Sequence, residues 1–261
     1  MSFALSSLKK FFGKITGGQA EPIPVGPPDN QGLALYKTPI GNYYLPVNIT
    51  TDIIINDMKA GRMFEPEIIK IAKQYIRKGS TVLDVGANLG QMTIFFSKFA
   101  GQEGRVYSFE ADDFIFSILQ KNIAANNCLN ITPMCTAIYD KAGTTMIYPV
   151  PDFQRFGSYG SYGLDPNAKE GRKIKTLTID SLGIQTPISF MKVDIQGSDL
   201  FAMRGAVETI KKHRMPILFE YEEQFQNEFH TSWDDYKKFI DSISYRIEKI
   251  IYGINFLIVP K

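Results

Sequence analysis

The stretch Ser80–Gln91 reads "STVLDVGANLGQ", an apolar run that closes at Gly86 and turns through a second glycine, Gly90. The residues that follow, 91–100 ("QMTIFFSKFA"), predict a helix. The same rhythm continues along the chain, with a predicted strand at 104–110, a helix at 113–127 and a strand at 130–138. Strands that alternate with helices indicate a parallel sheet with right-handed crossovers.

Beyond residue 140 this rhythm is interrupted by a long loop at 155–172, rich in small, aromatic and turn residues. The further predicted strands are 144–150, 173–180, 188–194 and 215–222, and the further predicted helices are 198–213 and 232–242. The chain closes with two apolar runs, 245–251 and 255–261, joined by a short turn at Gly253. A turn this short requires an antiparallel pair.

We divide the chain into three parts: an arm with a Gly/Pro linker (1–33), a hairpin with two helices (34–79) and an α/β domain (80–261). Residues 1–16 combine apolar side chains and lysines near helical spacing, without the apolar core and cleavage site of a signal peptide. We favour an arm that packs on the domain or on a partner subunit of a homo-oligomer. The alternative is weak contact with an anionic membrane surface.

Composition sets broad bounds. An apolar content of 44% with 21% charged residues is ordinary for a globular protein with a sizeable core. The formal net charge of +2 neither indicates nor excludes nucleic acid, which we do not expect as a partner. Cys128 and Cys135 are too few for a disulfide framework and predict free thiols in a reducing cytoplasm. No apolar run reaches the ~18 residues of a membrane span, so we expect a cytoplasmic protein, with peripheral attachment to the inner membrane face as the alternative.

Acidic residues stand where four predicted strands end: Asp84, Glu110, Asp194 and Glu220. In open α/β sheets, ligands bind outside the carboxyl ends of the strands, at the point where the strand order reverses. Asp84 could instead only cap a turn, and Glu110 could only begin a helix. We favour a ring of acids around one ligand.

The glycine-rich turn leaves two cofactor classes open. The dinucleotide fingerprint requires glycines where this chain has Asn88 and Gln91, which counts against a nicotinamide-dependent oxidoreductase. No GxxxxGK[ST] phosphate loop occurs. S-adenosylmethionine has no phosphates, and its cationic sulfur and amino group suit a ring of carboxylates. The residues therefore favour S-adenosylmethionine.

Several blocks of the chain, from about residue 35 to residue 260, together resemble the FkbM-type S-adenosylmethionine-dependent methyltransferases. In order they are "GRMFEPE" (61–67), "VLDVGANLGQMT" (82–93), "YSFEAD" (107–112), "LQKNIAANN" (119–127), "FGSYGSYG" (156–163), "TLTIDSL" (176–182), "FMKVDIQGSDLFAMRGA" (190–206), "ILFEYE" (217–222) and "NFLIVPK" (255–261). The resemblance implies a Rossmann-like class I methyltransferase fold, with a mostly parallel seven-stranded sheet, an antiparallel C-terminal hairpin and helices on both faces. It also implies methyl transfer, usually to a hydroxyl of a saccharide or secondary metabolite.

The resemblance further implies roles for individual residues. The residues that would frame the methionine part of S-adenosylmethionine, or otherwise contact that cofactor, are Glu65, Asp84, Gly86, Ala87, Asn88, Gly90 and Thr93. Glu110 would bind the ribose hydroxyls, and Ala111 with Ala137 would flank the adenine. Asp194 would face the cofactor's amino group or the acceptor. One departure stands out: the family pattern has "DVEG" where this chain has "DIQG", so Gln196 replaces a glutamate.

Asp194 and Glu220 are the candidate catalytic residues. A hydroxyl acceptor must lose a proton, and Asp194, Glu220 or His230 could take it; we prefer Glu220. Lys192 lies on the same strand face as Asp194, so a purely structural ion pair is the alternative. A metal could be bound by Asp194, Gln196 and Glu220, but an amide attracts Mg²⁺ less than a carboxylate does, and we predict no metal.

The loop "GSYGSYG" (157–163) offers the candidate acceptor contacts Ser158, Tyr159, Ser161 and Tyr162. Tyrosines between glycines can form a lid that stacks on a sugar or another ring, although a plain connector is the alternative. Because Gln196 removes a charge from the pocket, a non-catalytic scaffold that binds S-adenosylmethionine also stays open.

Overall fold

The computed structural model of this protein describes residues 23–151 and 157–261. The strands are β1 Leu33–Thr38, β2 Gly41–Pro46, β3 Thr81–Val85, β4 Arg105–Glu110, β5 Ile131–Cys135, β6 Ala137–Ile138, β7 Thr145–Tyr148, β8 Arg172–Leu177, β9 Ile188–Val193, β10 Ile217–Glu220, β11 Tyr245–Ile251 and β12 Asn255–Pro260. The helices are α1 Ile53–Lys59, α2 Pro66–Tyr75, α3 Gln91–Ala100, α4 Asp113–Ala125, α5 Asp199–Arg204, α6 Val207–His213, α7 Glu223–Phe229 and α8 Trp233–Ser242.

Seven of these strands form the central sheet, in the order β11-β12-β10-β9-β3-β4-β5. The strands from β10 to β5 are mutually parallel. At the other edge, β12 runs antiparallel to both β10 and β11. This arrangement confirms the predicted mostly parallel seven-stranded sheet with an antiparallel C-terminal hairpin. The chain order reverses between β3 and β9, which places the expected ligand position at the ends of these two strands.

Both faces of the sheet are covered. Neighbouring residues of a strand point to opposite faces, and Val82 and Leu83 of β3 accordingly belong to two different buried clusters. The cluster around Val82 includes α2, α3, α4 and the β1–β2 hairpin. The cluster around Leu83 includes α5, α6 and α8. Burial on both sides explains why β3 and β9 are mostly apolar, with Asp84 and Lys192 as their only charged residues.

The β1–β2 hairpin is held against α4 by asparagine side chains. Asn122 of α4 is completely buried; its Oδ1 accepts the Tyr44 N–H at 2.6 Å and its Nδ2 donates to the Leu89 carbonyl at 2.8 Å. Asn126, the C-cap of the same helix, accepts the Asn42 N–H at 3.0 Å. One side chain therefore connects the hairpin to the glycine-rich turn after β3.

The predicted helix 198–213 is wrong as a single helix, because the chain breaks at Gly205 into α5 and α6. A Cβ at Gly205 would lie 2.0 Å from the Tyr139 carbonyl oxygen, so the backbone packs closely there. Asp180 then caps the second helix by accepting the Glu208 and Thr209 N–H groups at 3.1 and 2.8 Å. The beginning of α6 is therefore fixed by the Asp180 carboxylate, which lies far from it in the sequence.

Two other predictions need correction. The strand predicted at 130–138 divides at Thr136, and its second half, β6, leaves the central sheet to pair with β8 in a small sheet of order β6-β8-β7. The helix α7 was missed because its sequence, "EQFQNEF", is mostly polar. Its apolar signal is the pair Phe225 and Phe229, which lie one turn apart and are both buried.

The predicted arm at 1–16, with its subunit or membrane contact, lies outside the described residues and stays a prediction. No helix within residues 23–151 and 157–261 is both long and apolar enough to cross a membrane.

Candidate functional site

A cavity opens at the carboxyl ends of β3, β4, β9 and β10, where the strand order reverses. Most of the predicted site residues line it, namely Glu65, Gly86, Ala87, Asn88, Gly90, Glu110, Ala111, Ala137, Ser158, Tyr159, Ser161, Tyr162, Asp194 and Glu220. Two predicted residues, Asp84 and Thr93, do not line it. Both are completely or almost completely buried beneath the turn.

The glycine-rich turn forms one wall because its backbone can come very close to the neighbouring strand end. Gly86 has φ +84°, and a Cβ there would lie 1.9 Å from the Asp194 carbonyl oxygen. The N–H groups of Gly86 and Ala87 donate to the Phe109 carbonyl at 3.0 and 2.9 Å. Asn88 is also left-handed, with φ +49°. Only glycine satisfies both demands at position 86.

Glu110, the last residue of β4, holds this turn in place. One carboxylate oxygen accepts the Asn88 N–H and the other accepts the Asp112 N–H, both at 2.8 Å. The side chain is 8% exposed, and burial raises the pKa of Glu110 to about 7. Each oxygen retains a lone pair that can accept from a ligand hydroxyl.

Lys192 lies under the same wall and bridges two carboxylates. Its Nζ is 3.0 Å from Asp194 Oδ2 and 4.0 Å from Asp84 Oδ1, and it donates to the Gly86 carbonyl at 3.4 Å. Burial alone would lower the pKa of Lys192, but the charges of Asp194 and Asp84 outweigh burial and hold this pKa above its ordinary value. Lys192 is therefore a buried cation paired with Asp194, the contact that their spacing on one strand face suggested.

The predicted direct contacts of Asp84 and Thr93 with a cofactor are corrected by this geometry. The Thr93 hydroxyl donates to Asp84 Oδ2, and both side chains lie behind the cavity wall. Asp84 lies within β3, where neighbouring side chains point to opposite faces of the sheet, and its side chain meets Lys192 rather than the cavity. Asp84 is linked to the cavity wall through Lys192, and Thr93 is a residue of α3.

Carboxylates dominate the opposite wall. Glu220 ends β10, Glu222 follows it, and Glu65 comes from the N-cap of α2. Burial first, and then the charge of Asp194, raise the pKa of Glu65 to about 7 and that of Glu220 well above its ordinary value. Among the cavity-lining residues of the described ranges, Lys192 is the only basic side chain. The cavity is therefore suited to a cation.

The far end of the cavity is formed by small residues. Ala111, Thr136 and Ala137 line it beside Tyr148. Arg172 donates to the Ala111 carbonyl and lies 3.4 Å from Asp113, so it fixes this backbone from outside the cavity.

No group of acids, histidines or cysteines in the described ranges is arranged to hold a metal ion. Neither histidine lines the cavity. The His213 ring accepts the Ile188 N–H at 3.4 Å at the start of β9, the opposite end of the sheet from the cavity. His230 is the exposed C-cap of α7. The carboxylates are thus the candidate proton acceptors at this site.

The loop 157–164 forms the outer wall and is fastened by Asp52, a residue that the sequence analysis missed. Asp52 is completely buried, and its Oδ1 caps α1 by accepting the Ile54 and Ile55 N–H groups. Its Oδ2 accepts the Tyr159 N–H at 2.8 Å. The Tyr159 ring lies 5.9 Å from that of Phe114, between ring centroids. The only sequence signal was an acid just before an apolar helix.

Replacing Asp52 with alanine should release this loop and lower the free energy of unfolding by about 2 kcal/mol, because one buried and two partly buried N–H groups lose their acceptor. Hydrogen exchange at residues 157–161 should become faster, while urea unfolding measures the stability. The control is Asp241→Ala, which removes an exposed carboxylate paired with Lys261. Unchanged exchange at Tyr159 would show that Asp52 does not fasten the loop.

Comparison with known proteins gives one family match: the model described as "Methyltransferase FkbM domain" matches residues 84–247. No curated protein has a matching sequence. The similar solved structures include methyltransferase FkbM from Methylobacillus flagellatus KT, which is 19% identical with a TM-score of 0.45; the match covers 73% of this chain and 50% of that one.

Two further structures are similar. An rRNA methylase from Streptococcus thermophilus is 10% identical with a TM-score of 0.43, covering 74% of this chain and 92% of that one. A SAM dependent methyltransferase from Aquifex aeolicus is 15% identical with a TM-score of 0.39, covering 75% and 97%. At these scores the likenesses carry no argument about activity.

Proposed function

The chain belongs to the FkbM methyltransferase family, and from that premise we propose that it transfers a methyl group from S-adenosylmethionine to a hydroxyl of a saccharide or secondary metabolite. Its central sheet is that of class I methyltransferases. When bound, S-adenosylmethionine supplies a methyl group activated by a sulfonium cation. The observation that carries the proposal is the charge of the cavity.

Five acidic side chains line the cavity: Glu65, Glu110, Asp194, Glu220 and Glu222. Lys192 offsets only part of this charge, because its ammonium is already shared by Asp194 and Asp84. A cationic ligand is therefore favoured, and a pyrophosphate would meet uncompensated carboxylates. This argues against the nicotinamide-dependent alternative.

The family resemblance supports an assignment of the cavity residues to the parts of S-adenosylmethionine. The turn at 86–90 and Glu65 would hold the methionine portion, and Glu110 would accept from the ribose hydroxyls. Ala111 and Ala137 would flank the adenine. The loop 157–164 would form the wall against the acceptor, with Ser158, Tyr159, Ser161 and Tyr162 as its contacts.

Asp194 and Glu220 are the proposed catalytic residues. Asp194 would orient the cofactor's amino group or the acceptor, since Lys192 holds it at the edge of the cavity. Glu220 would take the proton that the acceptor hydroxyl loses as its oxygen gains the methyl group. A cation in the cavity favours the ionised form of Glu220, the form that can act as a base.

We also propose that the protein works in the cytoplasm on a small-molecule or saccharide acceptor rather than on nucleic acid. Cys128 and Cys135 are both free thiols, as a reducing compartment would allow. Fractionation of cells that express a tagged chain tests the location.

Binding of S-adenosylmethionine, measured by isothermal titration calorimetry, tests the main proposal. Affinity should rise about tenfold from pH 6 to pH 8, because Glu65 and Glu110, each with a pKa of about 7, lose their protons over this range and attract the cation. S-adenosylhomocysteine, whose sulfur is uncharged, is the matched control and should show a smaller rise. Absence of binding to either ligand would refute the proposal.

A further inference from the structure

Gln196 lies in a strained turn directly after β9. Its φ is +52°, a left-handed value that is uncommon for a residue with a side chain, and Gly197 follows with φ +92°. The buried carboxylate of Asp199 braces the turn by accepting the Ile195 N–H at 3.4 Å and the Gly197 N–H at 3.1 Å. Such strain persists where the surroundings fix it, and it is common at functional sites.

The side chain of Gln196 connects the two proposed catalytic carboxylates. Its Nε2 is 2.8 Å from Glu220 Oε2 and 3.3 Å from Asp194 Oδ1, and the side chain is 8% exposed. An amide nitrogen carries two hydrogens, so it can donate one to each acid. The other oxygen of Asp194 is bound by Lys192 at 3.0 Å. The result is a continuous chain from Lys192 through Asp194 and Gln196 to Glu220.

The surroundings of Glu220 explain why this donor matters. The charged groups that act on it are acids, Asp194, Glu222, Glu65 and Asp199. Lys192, the one basic residue among the described residues that line the cavity, is bound to Asp194 and Asp84. Asn255 of β12 lies opposite Glu220 in the sheet, but its side-chain amide donates to Glu65 Oε1 at 3.2 Å instead. In the described ranges, Gln196 is the one side-chain donor that reaches the Glu220 carboxylate.

We propose that Gln196 is a positioning residue that holds Glu220 beside Asp194, so that Asp194 stays paired with Lys192 while Glu220 is the acid that exchanges a proton. An amide does this without adding a charge, whereas a glutamate at 196 would place a third carboxylate against the pair. The part of this role that concerns the acceptor rests on the proposed function; the hydrogen-bonded pairing does not.

The test is a ¹³C NMR titration of the carboxyl carbons in protein labelled at glutamate, without cofactor or acceptor. Glu220→Gln identifies the Glu220 resonance. In Gln196→Met, which keeps the length of the side chain and removes both donors, the titration midpoint of Glu220 should rise by about one pH unit, since a hydrogen bond favours the ionised acid. Gln226→Met, at a buried glutamine that bonds Thr231 and Tyr236 instead, is the matched control and should leave this midpoint unchanged.

A second measurement is made on the wild-type protein, so its result does not depend on whether Gln196→Met folds. In the wild-type protein, the side-chain ¹⁵N–¹H signals of Gln196 should shift with the same midpoint as the Glu220 carboxyl carbon. If they do not follow that titration, or if Gln196→Met leaves the Glu220 midpoint within 0.3 pH unit, the proposal is overturned. Failure of the proposed function would instead appear as an absence of S-adenosylmethionine binding, which the titration does not depend on.

Discussion

Glu110→Ala should weaken S-adenosylmethionine binding about 100-fold. The Glu110 carboxylate braces the glycine-rich turn through Asn88 and is the proposed acceptor for the ribose hydroxyls. Hydrogen bonds to a charged group contribute about 1.5–3 kcal/mol each. Losing the two proposed bonds to the ribose hydroxyls therefore corresponds to a decrease in affinity of about 100-fold or more. Isothermal titration calorimetry at pH 8, where the wild-type acid is ionised, measures the effect.

Two variants separate a ligand contact from a loss of structure. Glu110→Gln keeps one accepting oxygen and should bind with intermediate affinity. Glu208→Ala removes an exposed glutamate of α6 that pairs with Lys211, far from the cavity lining, and should bind like the wild type. If Glu110→Ala binds within threefold of the wild type, the ribose role is refuted.

Lys192→Met should lower the free energy of unfolding at pH 7 by about 3–5 kcal/mol. The ammonium of Lys192 is the cation beside Asp84, which is completely buried and whose Oδ1 has no hydrogen-bond partner in the described ranges. Removing one partner of a buried pair leaves a charge without compensation, which costs far more than breaking an exposed pair. Urea unfolding followed by circular dichroism provides the measurement.

The pH dependence of this loss identifies its source. Burial raises the pKa of Asp84, and once Asp84 is protonated it no longer needs a cation, so the deficit of Lys192→Met should shrink as the pH falls. Adding Asp84→Asn to Lys192→Met should recover part of the stability. Lys211→Met, at an exposed ion pair, should change stability by less than about 0.5 kcal/mol. A loss below about 1 kcal/mol in Lys192→Met would contradict the buried-pair interpretation.

Much of the fold could be predicted because its signals are local. The run that closes at Gly86 predicted β3, and the helix that follows it was predicted with the same bounds, 91–100, that the structure shows. Where a distant group decided the outcome, prediction failed. Gly205 breaks a helix because the Tyr139 carbonyl lies against it, and α7 depends on the burial of two phenylalanines within a polar segment.

For the candidate site too, the sequence indicated the residues at the strand ends, and the structure decided which of them reach the cavity. Asp84 and Glu110 both stand near the end of a strand, and the sequence could not distinguish them. Their surroundings do: Asp84 turns beneath the wall toward Lys192, while Glu110 reaches the cavity. Asp52 was missed entirely because its partner Tyr159 is more than a hundred residues away in the chain.

The sequence by itself determined most of the strands and helices, the family and the set of acids that follow the strands, because periodicity and turn residues act over a few neighbours. Tertiary structure alone decided which acids line the cavity, which two carboxylates Lys192 bridges, and that Gln196 joins Asp194 to Glu220. Those relations depend on distances of about 3 Å between side chains of different elements. A shift of one residue in the register of a strand would move its side chains to the opposite face of the sheet and break these contacts.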